Sequence, residues 1–139
     1  MSSRIPLWTL RATATYLGLA AINGLSMDIR AAFFGTGPAV PLLDGKPYMA
    51  LGLTEAHGLA LILALVFLRM PATRGWHGIA AATTLLLGIS NLMYWDAFVA
   101  TNTVPMGVTA TAFHLVFGTA NLVAALGAFG RRRGVLAAG

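Results

Sequence analysis

Apolar residues form four long stretches along this chain, separated by short segments that hold most of the charged residues. We place these stretches at about residues 13–27, 49–68, 76–94 and 108–129. At about 1.5 Å per residue, roughly twenty helical residues cross a hydrocarbon core about 30 Å thick. The first stretch is short by this measure, and residues 7–10 or 31–34 would lengthen it. The pattern predicts an all-α integral membrane protein, a four-helix bundle in one domain.

Composition favours the same class. Of the 139 residues, 58% are hydrophobic and 9% are charged, against about 25% charged residues in ordinary soluble domains. The chain contains no cysteine, which excludes disulfides, thiol catalysis and thiolate metal sites.

The distribution of charge predicts how the chain is oriented. Arginines lie before the first stretch, between the second and third, and after the fourth, at positions 4, 11, 69, 74 and 131–133. The two other connections contain three aspartates (28, 44 and 96) against Arg30 and Lys46, a net charge of −1. Because loops rich in arginine and lysine stay in the cytoplasm, both termini are predicted to be cytoplasmic. These arginines also explain the high pI, and without a basic surface interleaved with aromatic residues we expect no nucleic-acid partner.

The two predicted outer connections differ in character. Residues 29–47 hold several glycines and prolines and the turn signal Asp44-Gly45, but also many apolar residues. We therefore expect a loop that lies on the outer membrane interface or caps the bundle. Residues 95–107 form the second outer loop, where Tyr94, Trp95 and Phe98 are predicted to join an interfacial aromatic belt.

Each predicted helix carries one stripe of polar and small residues at helical spacing. The stripes are Thr13, Tyr16, Ala20 and Asn23; Tyr48, Leu51, Glu55 and Gly58; Thr84, Gly88, Asn91 and Trp95; and Thr111, His114, Gly118 and Asn121. Small residues allow close helix approach, and polar ones hydrogen-bond across the interface at about 0.6–2 kcal/mol each. We therefore expect the four stripes to face one another.

Glu55 is the most informative member of these stripes. A charge at this depth costs about 2.5–3.5 kcal/mol on insertion scales, so it usually faces protein or water. Alternating helix directions bring Asn23, Glu55, Asn91 and His114 into the outer half of the bilayer. We therefore predict a polar site there, with Glu55 and His114 as the candidate proton-transfer pair. The candidate ligand-binding residues are Tyr16, Asn23, Asn91, Trp95, Thr111 and Asn121.

A purely structural interpretation exists for the same residues. The asparagines would then bridge helices, and Asn91 or a backbone carbonyl would satisfy His114. Glu55 would be hydrogen-bonded to His114 or to Arg30.

The histidines do not form a metal-binding pattern. Glu55 and His57 are two positions apart, about 200° around a helix, so they cannot both point into one cavity. No H-x-x-x-H or E-x-x-H pair occurs, and a closed zinc site needs three or four ligands. A b-type haem held by His57 and His114 is geometrically conceivable, but lone histidines are common, and the sequence does not favour it.

The second stretch resembles a known family signature. Residues 51–61 read LGLTEAHGLAL and are followed by Arg69. The run resembles the G-x-x-E-x-x-G-x-x-L signature of the DoxX-like superfamily at Gly52, Glu55, Gly58 and Leu61. Arg11 matches an arginine that precedes the first span in that family. The chain departs from the pattern at residues 28–30, at His57 and at His114.

The resemblance implies a small four-helix protein of the bacterial inner membrane. Some DoxX-like proteins are similar to membrane subunits of oxidoreductases that deliver electrons to quinone. A quinone needs an apolar slot with one or two hydrogen-bonding groups, a role that His114 and Glu55 would fill. Another flat lipophilic molecule would fit the residues equally well.

Three functions remain open on this evidence. The first is a membrane subunit or small enzyme that acts on a lipophilic ligand. The second is a non-catalytic structural or assembly subunit of a membrane complex. The third is a small proton-coupled transporter that uses Glu55 as its proton site. Four helices make a small bundle, so an oligomer, or a place in a larger membrane complex, is expected in each case.

Overall fold

The computed structural model describes residues 4–43 and 45–127, apart from the side chains of residues 4–6 and 47. This part of the chain is all-helical. Its helices are α1 (Arg4–Phe34), α2 (Val40–Leu43), α3 (Pro47–Arg69), α4 (Arg74–Met93), α5 (Trp95–Ala100) and α6 (Val104–Gly127). The turn signal at Asp44, the arginines at 131–133 and the last two residues of the fourth predicted stretch lie outside the described residues.

Helix α1 is much longer than the first predicted stretch. It takes in both extensions, residues 7–10 and 31–34, because no proline occurs between Pro6 and Pro38 and no glycine occurs between Gly24 and Gly35. Gly35 ends the helix with a φ of +60°, a left-handed conformation that favours glycine. Residues 28–30 therefore lie on the helix, and the prediction of a loop beginning at residue 29 was wrong.

Both predicted outer loops contain a short helix. Helix α2 lies between Gly37 and Gly45, which both have positive φ. Helix α5 occupies the first half of the loop predicted at 95–107. Its Phe98 ring packs so closely on Gly107 that a Cβ there would lie 2.6 Å from the ring. This contact holds α5 against the beginning of α6.

The long helices form two antiparallel pairs, α1 with α3 and α4 with α6. The Arg11 guanidinium donates to the carbonyl of Phe67 at 3.1 Å, which joins α1 to the end of α3. In the other pair, Gly118 of α6 lies against Thr84 and Leu85 of α4. Helix α1 also contacts α6 and α4, whereas α3 packs mainly against α1. Helix α3 therefore lies at the edge of the group.

A hydrogen-bonded network joins the two pairs. The Asn121 amide donates to Thr13 Oγ1 at 2.7 Å and to the Phe117 carbonyl at 2.8 Å. Its Oδ1 is 2.7 Å from His77 Nδ1, and Thr13 Oγ1 donates to the Thr9 carbonyl. Thr13 and Asn121 are 0% exposed and His77 is 2% exposed. One amide thus holds α1, α4 and α6 together.

Three helices of the described part are long and apolar enough to cross a membrane, namely Leu7–Phe34, Tyr48–Arg69 and Val104–Gly127. Helix α4, which covers the third predicted stretch, is not among them. Its beginning contains Arg74, Trp76 and His77, which lower its mean hydropathy. The outward surfaces of α3 and α6 carry many exposed leucines, isoleucines and valines. Together these features indicate a membrane protein.

The network yields a stability prediction. Replacing Asn121 with alanine removes the partner of His77 Nδ1 and the donor to Thr13 Oγ1, so we expect a loss of about 1–3 kcal/mol in unfolding free energy. The measurement is an SDS or thermal unfolding titration in detergent. Asn23→Ala is the matched control, because within the described residues the exposed Asn23 amide makes hydrogen bonds only to the sulfurs of Met27 and Met106, at 3.6 and 3.8 Å. Equal losses in the two variants would contradict the role of the network.

Candidate functional site

The polar stripes of α6 and α4 face the interior as predicted. Thr111, His114, Gly118 and Asn121 are all buried in α6. In α4, Thr84 and Gly88 are buried, while Asn91 is half-buried. Trp95 is also half-buried, but it lies at the beginning of α5, where its ring contacts Phe98.

The stripe predicted for the second membrane helix faces the wrong way. Tyr48, Leu51 and Glu55 are exposed on α3. The buried face of this helix contains Ala60, Ala64 and Phe67 instead. The two alanines allow α3 to lie close to α1, where a Cβ on Gly18 would be 3.5 Å from that of Ala64. Close packing of small residues thus decided which face of α3 is buried, and the single carboxylate was a misleading guide.

Glu55 and His114 are not brought together. Glu55 lies on the exposed surface of α3, whereas His114 lies inside α6 against α1 and α4. Since α3 packs mainly against α1, the Glu55 carboxylate does not reach the interior surface that contains His114. Glu55 and Asn23 therefore do not join His114 in one buried polar site, because both side chains are exposed.

A smaller cluster does form where α1, α4 and α6 meet. The Tyr16 ring stands edge-on to His114, with ring centroids 5.2 Å apart, and its hydroxyl donates to the Ala110 carbonyl at 3.1 Å. On the other side, a Cβ on Gly88 would lie 3.2 Å from that of His114. Thr111 precedes His114 by one turn on the same buried face of α6. We call Tyr16, Thr111 and His114 the junction site.

Two polar atoms of the junction site have no hydrogen-bond partner. These are His114 Nδ1 and Thr111 Oγ1, which are both buried. Each residue is 6% exposed. A buried polar group without a partner costs about 1–3 kcal/mol, so folded proteins retain few of them. These two atoms belong to residues one helical turn apart, and each retains an unused capacity for a hydrogen bond.

Aromatic rings lie beside these polar atoms. Tyr16 packs against Phe113 and Phe117 with centroid distances of 5.0 and 5.5 Å. The two phenylalanine rings are stacked 5.9 Å apart, and Phe113 is partly exposed on the outer surface of α6. The junction site thus combines flat apolar surface with unsatisfied polar atoms.

The remaining predicted ligand-binding residues lie at different distances from this site. The antiparallel contacts of Thr84 with Gly118 and of Gly88 with His114 place Asn91 at the level of Thr111. Asn121 is committed to the network described above. Asn23 and Trp95 lie towards the end of the helices that holds α5.

A second polar pair, which the residue pattern did not predict, joins α1 to α3. Asp28 Oδ2 is 2.6 Å from His57 Nδ1, and Asp28 is 2% exposed. The His57 ring lies directly over Gly24, where any Cβ would overlap it. The absence of a helix breaker between residues 28 and 34 was the available signal. It indicates that Asp28 lies on a helix and needs a partner.

The two pairs of helices hold their histidines apart. His57 contacts α1 at Gly24, and His114 contacts it at Tyr16, about 12 Å away along the helix. This separation is too large for two ligands of one haem iron. Among the described residues, no three histidine, aspartate or glutamate side chains are grouped as metal ligands would be.

Comparison with models of known protein families, with curated proteins and with solved structures gives no significant match for this chain. The fold therefore defines a class: an all-helical protein with three helices that could cross a membrane. The resemblance to the DoxX-like superfamily remains a prediction from the sequence.

The contact between Gly24 and His57 gives a testable prediction. Gly24→Ala introduces a methyl group into the imidazole ring, so His57 must move away from Asp28. We expect a loss of about 1–3 kcal/mol in unfolding free energy and a changed NMR chemical shift of the His57 ring. Gly18→Ala is the matched control on the same helix, because its Cβ meets Ala64 at an ordinary 3.5 Å. A Gly24→Ala protein that matches this control in stability and ring shift would rule out the close packing.

Proposed function

We propose that this protein is a four-helix protein of the bacterial inner membrane that binds a flat lipophilic molecule, of the quinone class, at the junction site. Both termini would then lie in the cytoplasm. Four long helices arranged in antiparallel pairs support the bundle. Arg11, Arg69 and Arg74 lie at one end of these helices, which supports this orientation by the positive-inside rule.

The unpartnered atoms of the junction site carry this proposal. A quinone carbonyl accepts hydrogen bonds. The Thr111 hydroxyl donates them, and so does a His114 ring that carries its hydrogen on Nδ1. Binding would therefore satisfy two groups that are buried without a partner in the free protein. The rings of Tyr16, Phe113 and Phe117 offer the flat apolar contact that such a ligand requires.

The position of Glu55 changes the chemistry that this site could perform. The candidate proton-transfer pair loses its carboxylate, because Glu55 is exposed on α3. A ligand placed between Thr111 and Tyr16 would then lie beside two titratable side chains, Tyr16 and His114. The proposed activity is binding, with His114 Nδ1 as a hydrogen-bond donor. A transporter that uses Glu55 as an internal proton site has no support from this arrangement.

The proposal makes opposite predictions for stability and for binding. Thr111→Val removes a buried hydroxyl without a partner, so the ligand-free protein should gain about 1 kcal/mol in unfolding free energy. The same change should weaken binding of a short-chain ubiquinone or menaquinone analogue about three- to tenfold, because one hydrogen bond to the ligand is lost. Equilibrium dialysis against protein in nanodiscs measures the binding, and mass spectrometry identifies any lipid that co-purifies.

Thr119→Val is the matched control, since Thr119 lies on the exposed side of the same helix. It should change neither quantity. His114→Phe preserves a ring of similar size and should weaken binding at least as much as Thr111→Val. The proposal fails if the unmodified protein binds neither quinone analogue and co-purifies with no lipophilic molecule, or if the Thr111 and His114 variants bind like the control.

Orientation is tested separately. A reporter that is active only in the cytoplasm should be active when it is fused to either terminus. A cysteine introduced at exposed Thr36, in the connection after α1, should react with a membrane-impermeant thiol reagent from outside intact cells. Labelling from the cytoplasmic side alone would reverse the proposed orientation.

A further inference from the structure

The outward face of α3 combines an apolar surface with a single carboxylate. Its exposed residues include Leu51, Gly52, Glu55, Ala56, Leu59 and Ile62. Helix α1 covers the opposite side, and neither α4 nor α6 packs extensively against α3. We call these six residues the Glu55 face.

Glu55 lies well inside the segment that could cross a membrane. That segment is Tyr48–Arg69, so Glu55 is about 10 Å from its beginning and about 21 Å from its end. A glutamate side chain is too short to reach the interface from there. No described side chain makes a hydrogen bond or ion pair with its carboxylate. Lipid tails offer no hydrogen bond, so exposure to lipid costs about 2.5–3.5 kcal/mol or more.

We propose that two copies of this chain pack through the Glu55 face, with the two Glu55 carboxyls hydrogen-bonded to each other across a two-fold axis. A protonated carboxyl both donates and accepts, so an identical group on a second copy satisfies it. A symmetric contact brings the same residue of both copies to the axis and closes as a dimer. The Glu55 face is self-complementary in this sense, because each copy presents the group that the other needs, and this favours a second copy as the partner.

The residues beside Glu55 permit a close approach. Gly52 and Ala56 are four positions apart and exposed on one side of α3, the spacing at which small residues bring membrane helices together. A Cβ added to Gly52 would meet nothing within 4 Å, so this surface is open. Large apolar side chains cover the outward faces of α4 and α6, among them Leu86, Leu92, Val116 and Val123. The unpaired Glu55 carboxyl and the small residues beside it thus both point to α3.

Cysteine crosslinking tests this arrangement directly, because the chain contains no cysteine of its own. Ala56→Cys places a thiol beside the proposed axis, where two helices in close contact would meet the Cα separation of about 4.4–6.8 Å that a disulfide requires. Oxidation by copper phenanthroline in membrane vesicles should give a covalent dimer. Leu86→Cys on the outward face of α4 is the matched control and should remain a monomer. No crosslink from Ala56→Cys, or equal crosslinking of both variants, would overturn the proposal.

Glu55 variants test the hydrogen bond itself. Glu55→Leu should raise the dimer dissociation constant about three- to thirtyfold, the range expected for an interhelical hydrogen bond. Glu55→Gln should preserve most of the affinity, since an amide also donates and accepts. Energy transfer between labelled copies in vesicles measures both constants. A Glu55→Leu dimer as tight as the unmodified one, or a purified protein that is monomeric at all concentrations, would contradict the proposed pair.

The Glu55 face on α3 shares no residue with the junction site on α1 and α6, so the dimer and ligand binding are tested by separate variants.

Discussion

The Asn121 amide is the contact on which the arrangement of three helices depends. Between helices in a membrane there is little hydrophobic driving force, so close packing and hydrogen bonds decide how they associate. Asn121 uses both amide hydrogens on Thr13 and the Phe117 carbonyl, so its oxygen must accept from His77 Nδ1. The network therefore fixes the hydrogen of His77 on Nδ1 as well as the register of α1, α4 and α6. A change at this one position would affect all three helices.

The register set at Asn121 has consequences two turns away along α6. His114 and Thr111 follow the same buried face and come to lie against Tyr16 and Gly88. At this level the polar groups are not matched, and two atoms remain without partners. In the Asn121 network every hydrogen-bonding side-chain atom has a partner except His77 Nε2, whereas the junction site leaves both Thr111 Oγ1 and His114 Nδ1 without one. This difference is the basis for treating the junction site as the candidate binding site. The network and the junction site both consist of ordinary residues, and only their hydrogen bonds differ.

Helix α3 is held by a separate set of contacts. Arg11 binds the end of α3 and Asp28 binds its middle through His57, while Ala60 and Ala64 pack in the hydrophobic core with α1. Because His57 turns towards α1, the helix must turn Glu55 away, since the two positions differ by about 200°. Pairing His57 with Asp28 thus exposes Glu55, which connects this hydrogen-bonded pair to the proposed dimer surface.

The sequence by itself determined the class of protein and the position of most helices. Long apolar stretches and scarce charges allow few alternatives to membrane helices, and regular spacing predicted the buried faces of α4 and α6. Periodicity failed on α3, because Glu55 and His57 each define a plausible polar face and the sequence does not say which one has a partner. That partner, Asp28, was assigned to a loop. The end of a helix depends on local helix-breaking residues, which are weak signals in a sequence, and the one that ends α1 is Gly35. Only the tertiary structure decided which polar residues are satisfied, because a hydrogen bond between helices depends on register, and register is set by contacts between residues far apart in the chain.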